Sequence, residues 1–384
     1  MNERERVLAV FQRRVPFPNL TLGSPSSDGK GEVPDQTPWY ADLSYWYSGQ
    51  KAMGRLPGKY EGDEGYLRLH QDAGAGIYLY APGVWKEEFD ESIQTEQKKE
   101  ENRIISTIFT PLGKLTAIQE YLSQSFTSAY REHYIKKKED LKIMRYLFTH
   151  RRITSCFDDF LRIDSLWNGW GLPVVLAPCC VSPLQTLLTR WAGVETTVNL
   201  LVEGREELEE AIIELQEADN EIFKIISQAP GQMVVFGENL SGEITGQKLM
   251  AQYEIPYWQK RIEQLHQVGK WVLLHNDGTL KASLPLLAET ALDAVEAVTP
   301  APVGDLTVQE VKEICQGKSI VWGCLPGALF SPLYPEDYFK DYLKKVLETF
   351  PAGSGFVLGV ADQVPPDADF ARICLVRKVL EEKV

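Results

Sequence analysis

From Leu172 onward the chain alternates short, largely apolar runs with longer segments whose apolar residues recur every three or four positions. The runs Pro173–Ala177, Gln232–Phe236, Trp271–Leu274, Ala294–Val298, Ser319–Trp322 and Gly355–Leu358 predict strands buried on both faces, the pattern of a parallel sheet. Helices are expected over residues 183–192, 205–227, 256–269, 284–291, 308–316, 337–350 and 369–382. In the longest of these, Leu208, Ile212, Leu215, Ile222 and Ile226 fall on one face. Strand–helix alternation at roughly 30 to 40 residues per unit is the pattern of a (β/α)8 TIM barrel. No G-x-G-x-x-G follows any strand, which removes the usual cofactor signature of an open doubly wound sheet.

The earlier part of the chain is less regular. A helix over residues 4–14, with Val7, Leu8, Val10 and Phe11 on one side, runs into a loop punctuated by Pro16, Pro18, Gly23, Pro25 and Gly29. A first strand starts at Thr37 and ends near Asp42, beside an aromatic wall from Trp39 and Tyr40 to Tyr45, Trp46 and Tyr47. Such a wall either caps the barrel or lines a pocket for a flat or apolar ligand. Gly76–Tyr80 reads as a second strand, and the charged segment 87–101 as a solvated turn or helix. Alternating stretches over 104–109 and 126–135, with the turn Thr110-Pro-Leu-Gly113 between them, predict an antiparallel insertion. A helix is expected over 136–152, with Leu141, Met144, Leu147 and Phe148 on its apolar face. The expected architecture is one barrel domain over residues 1–384, with an N-terminal extension (1–36) and an inserted antiparallel segment at about 85–136.

Chemistry in a parallel barrel sits at the carboxyl ends of the strands. The run from Trp271 stops there in His275-Asn-Asp277-Gly278, and other strands end near Asp42, Glu238, Glu296, Cys324 and Asp362. His275 and Asp277 are two residues apart, so in a regular strand they share a face. His70, His133, His150 and His266 have no comparable setting. Cys179 and Cys180 read as core packing, since adjacent side chains diverge and no base lies near in sequence.

A net charge of −14 and a pI near 5.0 argue against a nucleic-acid or anionic-membrane partner. The six cysteines form no C-x-x-C pair, and the charged opening Met1-Asn-Glu-Arg-Glu-Arg6 reads as an amphipathic helix rather than a cleavable apolar segment. Reduced thiols in a cytoplasmic protein are therefore expected. No apolar run approaches the roughly 20 residues that span a bilayer.

The chain resembles the uroporphyrinogen decarboxylase superfamily, which also holds methylcobalamin:coenzyme M methyltransferases. The resemblance rests on Arg4-Glu-Arg-Val-Leu-Ala-Val-Phe11, Thr110-Pro-Leu-Gly113, Lys138-Glu-Asp-Leu-Lys142, Val303-Gly-Asp-Leu306, Gly323-Cys-Leu-Pro326 and Val364-Pro-Pro-Asp367, in that order and spacing. The insertion is similar to the methyltransferase-type branch. The decarboxylases carry Arg-Gln-Ala-Gly-Arg after the first strand to hold an octa-anionic tetrapyrrole. Here that stretch is Tyr40-Ala-Asp-Leu-Ser-Tyr-Trp-Tyr47, without an arginine. The zinc methyltransferases use His-x-Cys on one strand and a second Cys on the last. In this chain those positions are His275, Asp277 and Asp362, a harder ligand set that suits zinc or another divalent metal.

The resemblance implies an enzyme of one-carbon metabolism that moves a methyl group between a corrinoid on a carrier protein and a small acceptor. In that reading His275, Asp277 and Asp362 hold a metal or act as acid and base, with Asp42 as a further catalytic group. Trp39, Tyr40, Tyr45, Glu238, Glu296 and Cys324 contact the small-molecule substrate. Two other readings stand beside it. One is a decarboxylase-like lyase acting on a tetrapyrrole or another carboxylate, with Asp42 or Asp362 as proton donor. The other is a non-catalytic barrel that binds a ligand or a corrinoid protein.

Overall fold

The computed structural model describes residues 1–13, 33–79, 82–178 and 182–382. The loop from Pro16 to Gly29, Tyr80 and the pair Cys179-Cys180 lie outside the described residues. The strands in chain order are β1 (Trp39–Tyr40), β2 (Trp85–Phe89), β3 (Gln94–Glu100), β4 (Arg103–Thr110), β5 (Gly113–Leu122), β6 (Thr127–Glu132) and β7 (Arg151–Ser155). They continue with β8 (Val175–Leu176), β9 (Met233–Phe236), β10 (Trp271–His275), β11 (Ala294–Val298), β12 (Ile320–Pro326) and β13 (Phe356–Ala361). These elements fall into two compact units, one of Met1–Gly83, Phe157–Ala177 and Ala229–Val384, the other of Val84–Cys156 and Pro178–Gln228.

The first unit carries a seven-stranded parallel sheet in the order β1-β13-β12-β11-β10-β9-β8. Every residue of β9, β11, β12 and β13 is buried, as expected of largely apolar strands covered on both faces. The sheet curls. Tyr40 from β1 and Leu172 and Val174 before β8 belong to one apolar cluster with Met233, Leu273, Trp322 and Val357. Between the outer strands lies the segment 76–78. It forms parallel bridges Tyr40↔Gly76 and Ile77↔Gly171, and the amides of Leu172 and Val174 donate to the carbonyls of Ile77 (2.9 Å) and Tyr78 (3.2 Å).

The helix Glu3–Gln12 starts in a capping box, Asn2 with Glu5, which satisfies orphan amides of the first turn. Its Val7, Val10 and Phe11 join the same cluster, and Phe11 meets Trp271, the first residue of β10, at 5.5 Å. The amino end of the sheet is thus packed with apolar rings. Polar groups collect at the opposite, carboxyl ends of the strands.

The second unit holds an antiparallel four-stranded sheet, β3-β4-β5-β6, and a two-stranded ribbon of β2 and β7. Several expectations change here. The charged segment 87–101 is neither turn nor helix, because most of it belongs to β2 and β3. All seven residues of β3 are exposed, and it pairs only with β4, so it is an edge strand whose charges stay in water. The turn at Thr110–Gly113 leads into β5. The expected helix 136–152 contracts to Leu141–Thr149, and Arg151 begins β7. The expected helix 205–227 is interrupted at Asp219, between Arg205–Ala218 and Asn220–Gln228. In the first unit the helix expected over 284–291 is a single turn, Leu284–Leu287. Among the described residues no helix is long and apolar enough to cross a membrane.

Candidate functional site

Parallel pairing of β10 with β11 sets His275 directly beside Glu296. The His275 Nδ1 lies 2.6 Å from Glu296 Oε2, and the Tyr78 hydroxyl donates to Glu296 Oε1 at 2.6 Å. Glu296 is fully buried, so both its oxygens are satisfied inside the protein. With Nδ1 facing that carboxylate, the other ring nitrogen is left toward the rim. Nε2 stands 3.9 Å from Asp277 Oδ2 and 3.6 Å from Asp362 Oδ1. One donor atom from each of His275, Asp277 and Asp362 lies within 4.8 Å of the others.

Electrostatics at this point is dominated by carboxylates. Burial pushes the His275 imidazole toward its neutral form. The charges of Glu296 and Asp277 more than offset this and hold its pKa well above the usual value. Asp362 is pushed up to about 6, first by burial and then by Asp277, Glu296 and Asp42, with His275 pulling the other way. Asp42 is also raised, chiefly by burial, although it accepts from the Ser44 amide (2.8 Å) and the Gln363 side chain (3.0 Å).

The backbone marks the same place. The non-glycine residues Asn239, Ala297, Cys324 and Asp362 adopt φ of +47°, +61°, +71° and +65° at the carboxyl ends of β9, β11, β12 and β13. The other such residues described, Glu101, Phe126 and Asn168, lie in turns or at a helix end. Strain of about 1–3 kcal/mol per residue persists only where the surroundings over-determine it, and it clusters at functional sites. Between Val295 and Val298 the β11–β12 register slips, a bulge that sets the aim of Glu296.

The remaining candidates are placed differently. Glu238 is fully buried and accepts from the Trp258 indole at 2.6 Å. Cys324 is fully buried too, and burial pushes its thiol far up. Trp39 stacks on Phe330, and Tyr40 donates to the Glu3 carbonyl at 2.9 Å with its ring in the core. Tyr45 is half-buried on the helix Ser44–Ala52, and its hydroxyl is raised by burial and by the charges of Asp367 and Asp362. Of the other histidines, His266 pairs with Asp293 (2.8 Å), and His133 and His150 bond to backbone carbonyls.

Sequence reasoning did not single out Tyr78 or Gln363. Each is an ordinary residue in an apolar or loop context, and only the sheet pairing and the Asp42 loop reveal its partner.

A methyltransferase from Methanosarcina mazei has a similar fold, with a TM-score of 0.61 at 14% identity over 100% of this chain and 99% of that one. No curated protein sequence matches the chain. The sequence profile described as uroporphyrinogen decarboxylase (URO-D) matches residues 170–382, which carry β8 to β13 and with them His275, Asp277, Glu296 and Asp362, and the chain belongs to that family.

Proposed function

We propose that the protein is a divalent-metal-dependent enzyme of methyl-group transfer, with the ion held by His275 Nε2 and one oxygen each of Asp277 and Asp362. The observation that carries this reading is the convergence of those three donor atoms on the open side of the histidine ring. Donors about 2.1 Å from one ion at tetrahedral angles stand about 3.4 Å apart. Separations of 3.6 and 3.9 Å from Nε2, within a set no wider than 4.8 Å, close to that value when the carboxylates rotate toward the ion. Two oxygens and one imidazole form a harder set than a thiolate site, suited to zinc, manganese or iron(II).

The bound ion would supply Lewis-acid polarisation of a small acceptor and so lower the pKa of its thiol or hydroxyl. The chain's own groups then have definite tasks. Asp42, fixed by Ser44 and Gln363 and within electrostatic reach of Asp362, would accept or return a proton. The Tyr45 hydroxyl lies within electrostatic reach of Asp367 and Asp362 and is a candidate contact for the acceptor. A corrinoid on a carrier protein is the methyl source. Family membership and the methyltransferase with the similar fold support this assignment. We also propose that the segment 76–78 is the eighth strand of a closed (β/α)8 barrel. Its parallel bridges to Tyr40 and Gly171 support that closure.

The test is metal content of the protein purified without chelator, followed by methyl transfer from methylcobalamin to 2-mercaptoethanol read from the corrinoid spectrum. Co-purified or titratable metal and metal-dependent transfer are expected. Binding of neither zinc nor manganese below about millimolar concentrations sinks the reading, since ion sites of that strength are already weak.

The lyase reading is favoured by one feature, the raised carboxyls of Asp42 and Asp362, which suit proton donation. Decarboxylation that survives exhaustive chelation would select it over methyl transfer.

A further inference from the structure

We infer that Tyr78 and Glu296 are a positioning pair that fixes which nitrogen of His275 is offered to a cation. The inference rests on the metal reading above and adds to it two residues that touch neither ion nor substrate. Glu296 has no exposed surface, and its two oxygens are committed to Tyr78 and His275. It therefore has no free atom to orient an acceptor. A carboxylate acceptor at Nδ1 keeps a proton on that nitrogen, so Nε2, on the side of Asp277 and Asp362, is the nitrogen that would give up its proton to bind a cation.

The arrangement is built into the sheet. Pairing of β10 with β11 puts the two side chains in register, and the Asn276 amide donates to the Glu296 carbonyl at 3.0 Å just past that pair. Immediately beyond, Ala297 takes its positive φ, and the Thr299 hydroxyl donates to its carbonyl at 3.0 Å. The strand is held in the bent form that aims Glu296 at the histidine. The Tyr78 ring is wedged against Trp322 at 4.6 Å and Tyr40 at 6.0 Å, so its hydroxyl has little freedom to leave Glu296. Burying a carboxylate this completely is costly unless it is bonded, and these two partners supply the bonds.

Calorimetry of zinc and manganese binding to the full chain tests the pair. Glu296→Gln is expected to weaken affinity by about 10- to 100-fold, the usual consequence of removing the partner that orients a ligand histidine. Tyr78→Phe should lose several-fold. If Tyr78 acts through Glu296, the double variant should bind like Glu296→Gln alone. Asp42→Asn, which deletes a nearby charge with no bond to His275, should lose less than Glu296→Gln. Equal losses in Asp42→Asn and Glu296→Gln reduce the effect to bulk charge and overturn the inference. So do additive effects of Tyr78→Phe and Glu296→Gln, or single-variant affinities within about threefold of the unaltered protein. If Glu296→Gln fails to fold by circular dichroism, Tyr78→Phe decides. Unchanged affinity overturns the pair, and a several-fold loss supports it. Absence of binding by the unaltered protein instead overturns the metal reading, and this one with it.

Discussion

His70 and His275 are both buried, yet their surroundings drive them in opposite directions. His275 has carboxylates on both ring nitrogens and is held toward the charged form. His70 packs against Tyr66 at 4.9 Å, and neither ring nitrogen reaches a partner in good geometry, although the backbone of Ala75 and Gly76 lies beside it. Burial lowers its pKa to about 3. Its unfolded-state value lies above its folded one, so the unfolded chain binds the proton first. Stability from the neutral ring is complete above about pH 6.5 and falls by about 1.4 kcal/mol for each pH unit below that, until the folded value is reached. Urea midpoints at pH 7 and pH 5 should therefore separate less in His70→Leu than in the unaltered protein. Equal separations would show that His70 carries no such penalty. At the rim, His275→Ala and Asp362→Ala should each abolish zinc binding at micromolar metal while leaving the far-ultraviolet dichroism unchanged. Retention of affinity by either variant would remove that residue from the ligand set.

At the scale of elements, legibility follows burial. β9 to β13 declare themselves in sequence because both faces are covered and their residues are almost all apolar, with Glu296 in β11 and His275 at the end of β10 as the exceptions. His275, Asp277 and Asp362 could be picked out because they interrupt or follow such runs. The charged edge strand β3 has no apolar face, and the pattern of periodic apolar residues on which strand reading depends is absent there. The role of Glu296 was equally hidden. Ala294-Val-Glu-Ala-Val298 shows an acid in a strand, but only the register with β10 shows what it faces. The β11–β12 bulge depends on Gly323, whose φ is +139°. A Cβ there would sit 2.7 Å from the Val298 amide nitrogen and 2.8 Å from its carbonyl oxygen, contacts with backbone that has no room to rotate away. Gly323→Ala should destabilise the protein by about 2–3 kcal/mol in urea unfolding and weaken metal affinity as the bulge relaxes. A shift under about 0.5 kcal/mol, the usual range for harmless surface changes, would mean that the bulge is not held by that glycine.

Over the whole molecule the charge balance limits what the rim accepts. The chain carries a net −14, and Asp277, Glu296 and Asp362 face a single imidazole, with the charge of Asp42 acting on Asp362 as well. The charges acting most strongly on Asp362 come from that imidazole and the other three carboxylates. One divalent ion neutralises only part of this field. Nothing in Tyr40–Tyr47 supplies the arginines that an octa-anionic tetrapyrrole needs as counter-charges. Uroporphyrinogen should therefore yield no coproporphyrinogen above the uncatalysed background, as read by porphyrin fluorescence after oxidation. Turnover at an enzymatic rate would overturn this. The same field should rank small acceptors by charge. A cationic aminothiol should be methylated about tenfold or more faster than an anionic sulfonated thiol of equal length at low salt, the scale of rate effects that a charged cleft produces. The ratio should shrink as ionic strength rises, because Asp277 and Asp362 are part-exposed and their field is screened beyond about 10 Å at 0.1 M salt. A ratio near one at low salt, or one that does not respond to salt, would show that contacts other than these carboxylates select the acceptor.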